Sequence, residues 1–234
     1  MGTSNNMYVS TTGLVLRKVT YSDTSKVLTV LTGSEGKLTV SAHGAHRKKS
    51  KLSAATQLLV FSDMSLQQRK DRWTLTEAQC VEQFIGLRED LVLLSLGTYI
   101  AELAETVSDE DSLNTALLPL CLNTLYALSE KIRPPDFIKP VFELRLMAVS
   151  GFEPILLEKS EKRSASLGEG AIALGAGALN AANYILSCEP KKLFSFTLSD
   201  NALAELTTAA EAYLISHLDR KFRTLDYYKS LIYK

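Results

Sequence analysis

The spacing of apolar residues changes from a strand-like to a helix-like period near residue 83. Residues 12–80 form short apolar and β-branched runs separated by turn sequences, and a glycine-containing loop at 33–36 joins two of them as in a hairpin. Five short strands in about seventy residues leave no room for crossover helices. This part of the chain is therefore predicted to fold as a small antiparallel barrel. The last two predicted strands cover residues 58–65 and 72–80.

Beyond residue 83 apolar residues recur every three or four positions, as on one face of a helix. Pro134 and Pro135 suit the start of a helix, and Ser199 or Asp200 suits an N-cap. A polar, glycine-flanked stretch over 159–170 is expected to be a flexible loop. The predicted helices cover residues 88–107, 113–130, 137–149, 169–187 and 200–217. The predicted fold is α+β with two domains, a five-stranded barrel over 1–82 and an all-α domain over 83–234.

The two parts of the chain carry opposite charge. Residues 1–83 hold eleven Lys and Arg against six Asp and Glu, and the remainder holds fifteen against twenty. The densest cationic segment, His-Arg-Lys-Lys-Ser-Lys at 46–51, follows a predicted strand directly and is hereafter the basic run. A run of this kind beside a sheet is typical of contact with a phosphate backbone. Taken alone, the run is equally consistent with a solvated loop that has no ligand.

Further residues of the barrel could extend a nucleic-acid-binding surface around the basic run. Single-stranded nucleic acid is held by a cationic groove together with rings that stack on bases. Tyr21 and Trp73 are the ring candidates, and the strand phase leaves open whether they are exposed or belong to the core. Phe61 is better explained as a core residue. The cationic candidates are Arg47, Lys48, Lys49 and Lys51 of the basic run, with Lys37, Arg17 and Lys26 on the strands.

The sequence contains no recognisable catalytic constellation. Neither a P-loop nor a Gly-x-Ser-x-Gly elbow occurs, so we expect no enzymatic activity and no cofactor. The polar N-terminus and the absence of a long apolar stretch predict a cytosolic protein with no membrane span. Three histidines and three cysteines lack the spacing of a metal site or a disulfide framework. They are His43, His46, His217, Cys80, Cys121 and Cys188.

Several segments carry a resemblance to one known family. In the first part they are 12–17 (TGLVLR), 21–26 (YSDTSK), 31–32, Gly36 and 42–52 (AHGAHRKKSKL). In the second part they are 142–146 (FELRL) and 151–154 (GFEP). Their order and spacing resemble those of the RecO family of bacterial recombination mediators across most of the chain.

The sequence departs from the family pattern at a few points. Many relatives have four cysteines after the Gly-Phe-x-Pro turn and bind a structural zinc ion there. This chain has no cysteine between that turn and Cys188, and one thiolate cannot form a tetrahedral site, so we expect no zinc finger. His43 stands where the family often has lysine, and 223–225 replace a lysine–serine pair.

The resemblance implies an OB-fold barrel and a mediator of DNA repair and homologous recombination. Such proteins bind single- and double-stranded DNA, anneal complementary strands and, with RecR, help to load RecA onto DNA coated by the single-strand binding protein SSB. A cytoplasmic, nucleoid-associated location follows. The helical domain is expected to bind the acidic C-terminal tail of SSB, and salt bridging on a helix surface is the alternative for each basic residue there. The candidates are Lys131, Arg133, Lys139 and Arg145.

Other classes of function stay open at this stage. A protein-interaction adaptor would show no affinity for polyanions at moderate salt. A single-stranded RNA-binding barrel protein that uses the 2′-hydroxyl would prefer RNA to DNA. A metal-dependent nuclease would cleave DNA when Mg²⁺ or Mn²⁺ is added.

Overall fold

The computed structural model describes residues 7–23, 25–45, 52–110, 113–159 and 170–232, and its first five strands close into a barrel. They are β1 (Met7–Thr20), β2 (Ser25–Thr32), β3 (Lys37–His43), β4 (Phe61–Arg69) and β5 (Arg72–Glu82). Around the barrel the order is β1-β2-β3-β5-β4, and the neighbours are antiparallel except for β3 and β5, which are parallel. The predicted OB-fold barrel is confirmed.

The helices follow the barrel, apart from one short helix between β3 and β4. They are α1 (Leu52–Ala55), α2 (Ile85–Arg88), α3 (Leu91–Val107), α4 (Leu117–Ser129), α5 (Pro135–Val149), α6 (Ala176–Ser187), α7 (Asp200–Leu218) and α8 (Arg223–Ile232). A parallel pair, β6 (Ile155–Glu158) and β7 (Ala171–Leu174), precedes α6. Within the described ranges no helix is long and apolar enough to cross a membrane.

Strand β1 is buried on both of its faces. Val15 points into the barrel, where it packs in a cluster with residues such as Val30 and Leu66. Leu14 and Leu16 point the other way and belong to the core of the helices. Alternate side chains of a strand lie on opposite faces, so a continuous buried run shows that the barrel wall is covered from both sides. This apolar seam attaches the barrel to the helical region.

Polar contacts from the end of α3 reinforce the seam. The Oε1 atom of Glu105 lies 2.9 Å from the Arg17 Nε atom and accepts a hydrogen bond from the Thr29 hydroxyl at 3.4 Å. The backbone oxygen of Glu105 accepts from the Lys37 ammonium at 3.0 Å. Glu110 accepts from Thr39 on β3 at 3.4 Å. The acidic end of α3 is therefore fixed against the outer face of β1, β2 and β3.

A glycine fixes the connection between barrel and helices. The Gly86 amide donates to the Ser129 hydroxyl at 3.1 Å. A Cβ atom at position 86 would lie 2.1 Å from the Ser129 carbonyl oxygen, so a side chain there would push α2 away from α4. Position 86, inside α2, must therefore carry almost no side-chain volume for α2 and α4 to pack as they do.

Two predicted elements have different boundaries in the structure. The strand predicted over 58–65 begins at Phe61, because Leu59 has a left-handed backbone (φ 61°) and its amide bonds the Val15 carbonyl at 2.9 Å. The helix predicted over 169–187 is β7 followed by α6, since residues 171–174 pair with β6 before the helix starts after Gly175. Helix α8 and the β6–β7 pair were not predicted, whereas the predicted Ser199 cap is confirmed.

A buried ionic network lies between α5 and α7. The Lys139 ammonium lies 2.8 Å from a carboxylate oxygen of Glu143 and 2.8 Å from one of Glu211. The Tyr99 hydroxyl donates to Glu143 at 2.7 Å, and Lys229 pairs with Glu211. Burial raises the pKa of Glu143, and the pKa of Lys139 is raised because the two carboxylates outweigh the effect of burial. The network therefore connects four helices, α3, α5, α7 and α8.

We predict that Glu143→Gln destabilises the fold. The substitution leaves the buried Lys139 ammonium with a single carboxylate, and loss of one partner of a buried pair costs about 3 kcal/mol. Urea denaturation of both proteins measures the difference. The matched control is Glu130→Ala, an exposed carboxylate for which we expect a change within about 0.5 kcal/mol. Equal unfolding free energies for Glu143→Gln and the wild type would contradict the prediction.

Candidate nucleic-acid interface

One end of the barrel brings together the β1–β2 turn and the end of β3. Ser25, the first residue of β2, is paired with His43, the last residue of β3, and the Ser25 hydroxyl lies 3.3 Å from the His43 Nδ1 atom. The turn itself is closed by the Tyr21 amide, which donates to the Ser25 carbonyl at 3.0 Å. The chain that leaves β3 therefore starts beside the β1–β2 turn. We call this the turn end of the barrel.

The basic run begins three residues after His43 and lies outside the described residues. This range includes Arg47, Lys48, Lys49 and Lys51, whose predicted role in DNA binding stays a prediction. The flanking residues are placed: Ala45 is fully buried in the barrel core, and Leu52 at the start of α1 packs against the same core. Both ends of the basic run are therefore attached to the barrel.

The two ring candidates have different environments. Tyr21 is 81% exposed at the β1–β2 turn, so its ring is available for stacking on a base. Trp73 is half-buried and packs against the barrel core, and its strand position is paired with Val40 on β3. Phe61 is likewise half-buried and packs against the helical core, as its predicted structural role requires. Tyr21 is thus the ring at the turn end that points into solvent.

Lys26 does not lie on the surface. Lys26 is only 5% exposed. Its ammonium donates to the hydroxyl of Thr56, the residue that follows α1, at 3.2 Å. Burial lowers the pKa of Lys26, and the neighbouring Lys18 ammonium lowers it further. A phosphate could not reach this ammonium without displacing the segment above it. The expectation that Lys26 contacts DNA therefore does not fit its position in the barrel.

Arg17 and Lys37 lie on the outer face of the barrel but are engaged by α3. Arg17 is ion-paired with Glu105, while its side chain keeps 61% exposure. Lys37 donates to the Glu105 backbone carbonyl, which carries no full charge that would neutralise the ammonium. An exposed ion pair contributes only about 0–1 kcal/mol, so Arg17 can exchange its carboxylate for a phosphate. Both side chains remain able to meet an anion from the solvent side.

The sequence reading missed a second cationic turn. Residues 69–72 read Arg-Lys-Asp-Arg, and all four are exposed at the turn between β4 and β5. The first and last of them form the closing pair of the hairpin, and Trp73 follows at once. Three cations in four residues are the sequence signal of this turn, but the interspersed Asp71 and the polar residues around it are equally typical of an ordinary hairpin turn. In OB folds this turn borders the nucleic-acid-binding face.

Three of the four helical basic residues serve the fold. Arg133 donates to the Phe194 and Phe196 carbonyls at 3.0 and 2.8 Å. Arg145 donates to the Ile185 and Cys188 carbonyls at 2.8 and 3.2 Å, at the end of α6.

The other two helical candidates differ from each other in exposure. Lys139 is 3% exposed within the ionic network between α5 and α7. Only Lys131 is exposed with no side-chain partner among the residues described. The expected SSB-binding surface around α5 is therefore not formed by Arg133, Lys139 and Arg145, because their donors are used inside the helical region.

A hydroxyl-rich groove on the opposite wall has the wrong charge for a phosphate backbone. It encloses about 1100 Å³ along β1, β4 and β5, and its lining includes Thr11, Ser65 and Thr76. The charged groups of its described lining are Asp63 and Glu77, which repel a polyanion. The charge of this wall therefore does not suit contact with a phosphate backbone.

No metal cluster is found in the part of the chain that the structure describes: no three His, Cys, Asp or Glu side chains converge. The three cysteines are free thiols. Cys121 is fully buried in α4, where burial raises its pKa to about 12. Cys80 on β5 and Cys188 after α6 are half-buried. The thiol of Cys121 therefore packs as a small apolar group.

The fold and the cationic turns define the chain as an OB-barrel protein joined to a helical region. Family models give the same division: the model of the N-terminal part of recombination protein O matches residues 7–84, and that of the C-terminal part matches residues 88–226. The chain therefore belongs to the RecO family.

Two relatives match nearly the whole chain, and a third matches about three fifths of it. The DNA repair protein RecO of Acetivibrio thermocellus is 31% identical, over 96% of this chain and 97% of that protein. The protein of the same name from Symbiobacterium thermophilum is 29% identical, over 94% and 96%. That of Bacillus subtilis is 33% identical over 62% of this chain and 56% of its own length.

We predict that Lys26→Met stabilises the barrel at neutral pH. Lys26 has a lowered pKa in the fold, so its charged form opposes folding while it is protonated in both states. The full gain in unfolding free energy is expected below the pKa that Lys26 has in the folded protein. The gain should disappear as the pH rises to 10.5, the ordinary pKa of a lysine side chain. Urea denaturation between neutral pH and pH 10.5 measures the difference.

Exposed Lys191→Met is the matched control and should give no such pH-dependent gain. DNA affinity should be the same for Lys26→Met and the wild type. A loss of DNA affinity on Lys26→Met would show that the ammonium reaches the ligand after all.

Proposed function

We propose that the chain is a DNA-binding mediator of DNA repair and recombination that acts without catalysing a covalent reaction. It binds single- and double-stranded DNA at the turn end of its barrel and anneals complementary strands. The observation that carries this proposal is the Ser25–His43 pairing, since it brings exposed Tyr21 to the place where the basic run leaves the barrel. The names of the relatives, DNA repair protein RecO, support the biological role.

The chemistry of the turn end is that of a sequence-independent site. Lysine and arginine attract phosphates and release their counterions, and an exposed ring stacks on any base. Neither contact reads base edges, so affinity depends little on sequence. The cations of the basic run supply the electrostatic part. Those of the β4–β5 turn lie beside the start of β1 and extend the cationic surface away from the turn end. Tyr21 supplies the stacking part.

Family membership supports the finer steps of the proposal. Acting with RecR, the chain would help RecA to displace SSB from single-stranded DNA, and it would hold the acidic SSB tail while its barrel holds the DNA. This scheme requires exchange between binding surfaces and no reacting group. Of the four basic residues first considered for the tail, Lys131 is the one whose side chain is available on the surface.

We predict that replacing Arg47, Lys48, Lys49 and Lys51 together with alanine weakens binding of single-stranded DNA. Each lost phosphate contact should reduce the slope of log affinity against log salt by about 0.7. Fluorescence anisotropy of a labelled oligothymidylate over a salt series measures both quantities. The control is Lys191→Ala/Lys192→Ala, two cations on the 3₁₀ turn Pro190–Lys192, which should bind as the wild type does.

Strand annealing separates the proposed function from its alternatives. The wild type should accelerate annealing of complementary oligonucleotides, whereas the basic-run variant should not. An adaptor would show neither binding nor annealing, and a protein of RNA metabolism would release DNA when RNA of the same sequence is added. Either result would refute the proposal.

A further inference from the structure

A second cation-rich site lies in the cleft between the barrel and the helices. The cleft encloses about 700 Å³ between β1, the end of α3 and the start of α8. Barrel residues form one wall and α3 and α8 form the other. Its charged lining residues are Arg17, Lys18, Lys37, Arg220, Arg223 and two glutamates of α3.

Positive charge exceeds negative charge in this cleft. Five cations and two carboxylates line it, which leaves an excess of three positive charges among the residues described. Glu105 pairs with Arg17, and Glu102 pairs with Arg220 at 3.2 Å. The other three cations meet no carboxylate in the described part of the chain.

Two of these three cations donate hydrogen bonds to neutral groups, and the third has no acceptor among the residues described. Lys18 donates to the Gln57 amide oxygen at 2.5 Å, and Lys37 donates to a backbone carbonyl at 3.0 Å. Arg223 is exposed, and no described side chain or carbonyl accepts from its guanidinium. Burial, and then the nearby Arg88, lower the pKa of Lys18, so a bound anion would relieve the local positive potential.

An apolar pocket continues the cleft along the groove between α3 and α8. It encloses about 290 Å³ and shares Thr98, Arg223 and Thr224 with the cleft. Its far side is formed by Leu91, which is 55% exposed, and Tyr227, which is 50% exposed. A phenol ring that borders a cationic cleft is the arrangement in which a base stacks while its phosphates meet the cations.

We propose that this cleft binds the backbone of a single DNA strand, with phosphates at Lys18, Lys37 and Arg223 and one base against Tyr227. The inference rests on the proposed DNA binding and adds a second contact region on the helical side. Three excess charges suit consecutive phosphates, which carry one negative charge each at a regular spacing. The cleft also opens towards the outer face of the barrel, where Arg17 and Lys37 are exposed to an anion.

Two separate DNA-contact regions on one molecule would serve annealing. One strand can lie at the turn end while a second segment lies in the cleft, so both are held by the same protein. Holding two strands together raises their effective concentration relative to free diffusion. The cleft thus assigns a role to the helical region that the barrel alone cannot fulfil.

The test compares two variants that remove the same chemistry from different surfaces. Arg223→Glu/Tyr227→Ala alters the cleft, and Lys191→Glu/Tyr126→Ala alters an exposed lysine and a 50% exposed tyrosine on and near α4. Circular dichroism first establishes that both fold as the wild type does. The cleft variant should bind a labelled oligothymidylate about tenfold more weakly and with a smaller salt slope. The α4 variant should bind unchanged.

Photo-crosslinking of the wild type gives a second readout that does not depend on any variant. An oligonucleotide containing 5-iodouracil should crosslink to Tyr227 of α8, as mapped by mass spectrometry. Equal binding by both variants, with crosslinks confined to the barrel, would overturn the inference and leave the proposed function intact. A wild type that binds no DNA would refute both.

The remaining outcome concerns a different ligand. If the cleft variant keeps full DNA affinity and loses binding of a labelled aspartate-rich peptide, the cleft is a peptide site and the inference is wrong.

Discussion

The docking of the barrel on helix α3 is the contact on which the rest of this structure depends. Leu14 and Leu16 enter the helical core from a strand whose other face fills the barrel, and Glu105 adds polar contacts to Arg17, Thr29 and Lys37. Because Leu14 and Leu16 are buried among the helices, a rotation of the barrel would expose them to water, which favours a single orientation of the barrel on the helices. The cleft between them exists only in that orientation.

The same docking divides the barrel surface by charge. Carboxylates at the end of α3 lie against the outer face of β1 to β3, in the place where many OB folds bind their ligand. The wall along β4 and β5 carries Asp63 and Glu77. Accessible positive charge is left at the turns and at the mouth of the cleft. A polyanion is therefore expected to bind at the turns of the barrel and at the mouth of the cleft between the barrel and the helices.

The periodicity of apolar residues was enough to predict most strands and helices. Whether a basic side chain is exposed or used inside the fold depends on contacts with residues distant in sequence. The period change near residue 83 and the hairpin glycines were sufficient for the barrel and for most helices. Charge type alone could not show that Lys139 is buried, because its partner Glu211 lies 72 residues away on α7. Arg133 and Arg145 likewise bind carbonyls more than 35 residues distant. The cleft could not be predicted for the same reason, since Arg17 and Arg223 line one cavity only in the folded chain.

The packing of buried Ala45 and half-buried Leu52 against the barrel core has a consequence for how this protein can change. They fasten the barrel on either side of the basic run, so insertions or exchanges between them need not disturb the packing that maintains the fold. DNA affinity and folding stability can then change independently during evolution. A chimaera of this chain that carries the corresponding loop of a relative would have the DNA affinity of that relative and the melting temperature of this chain.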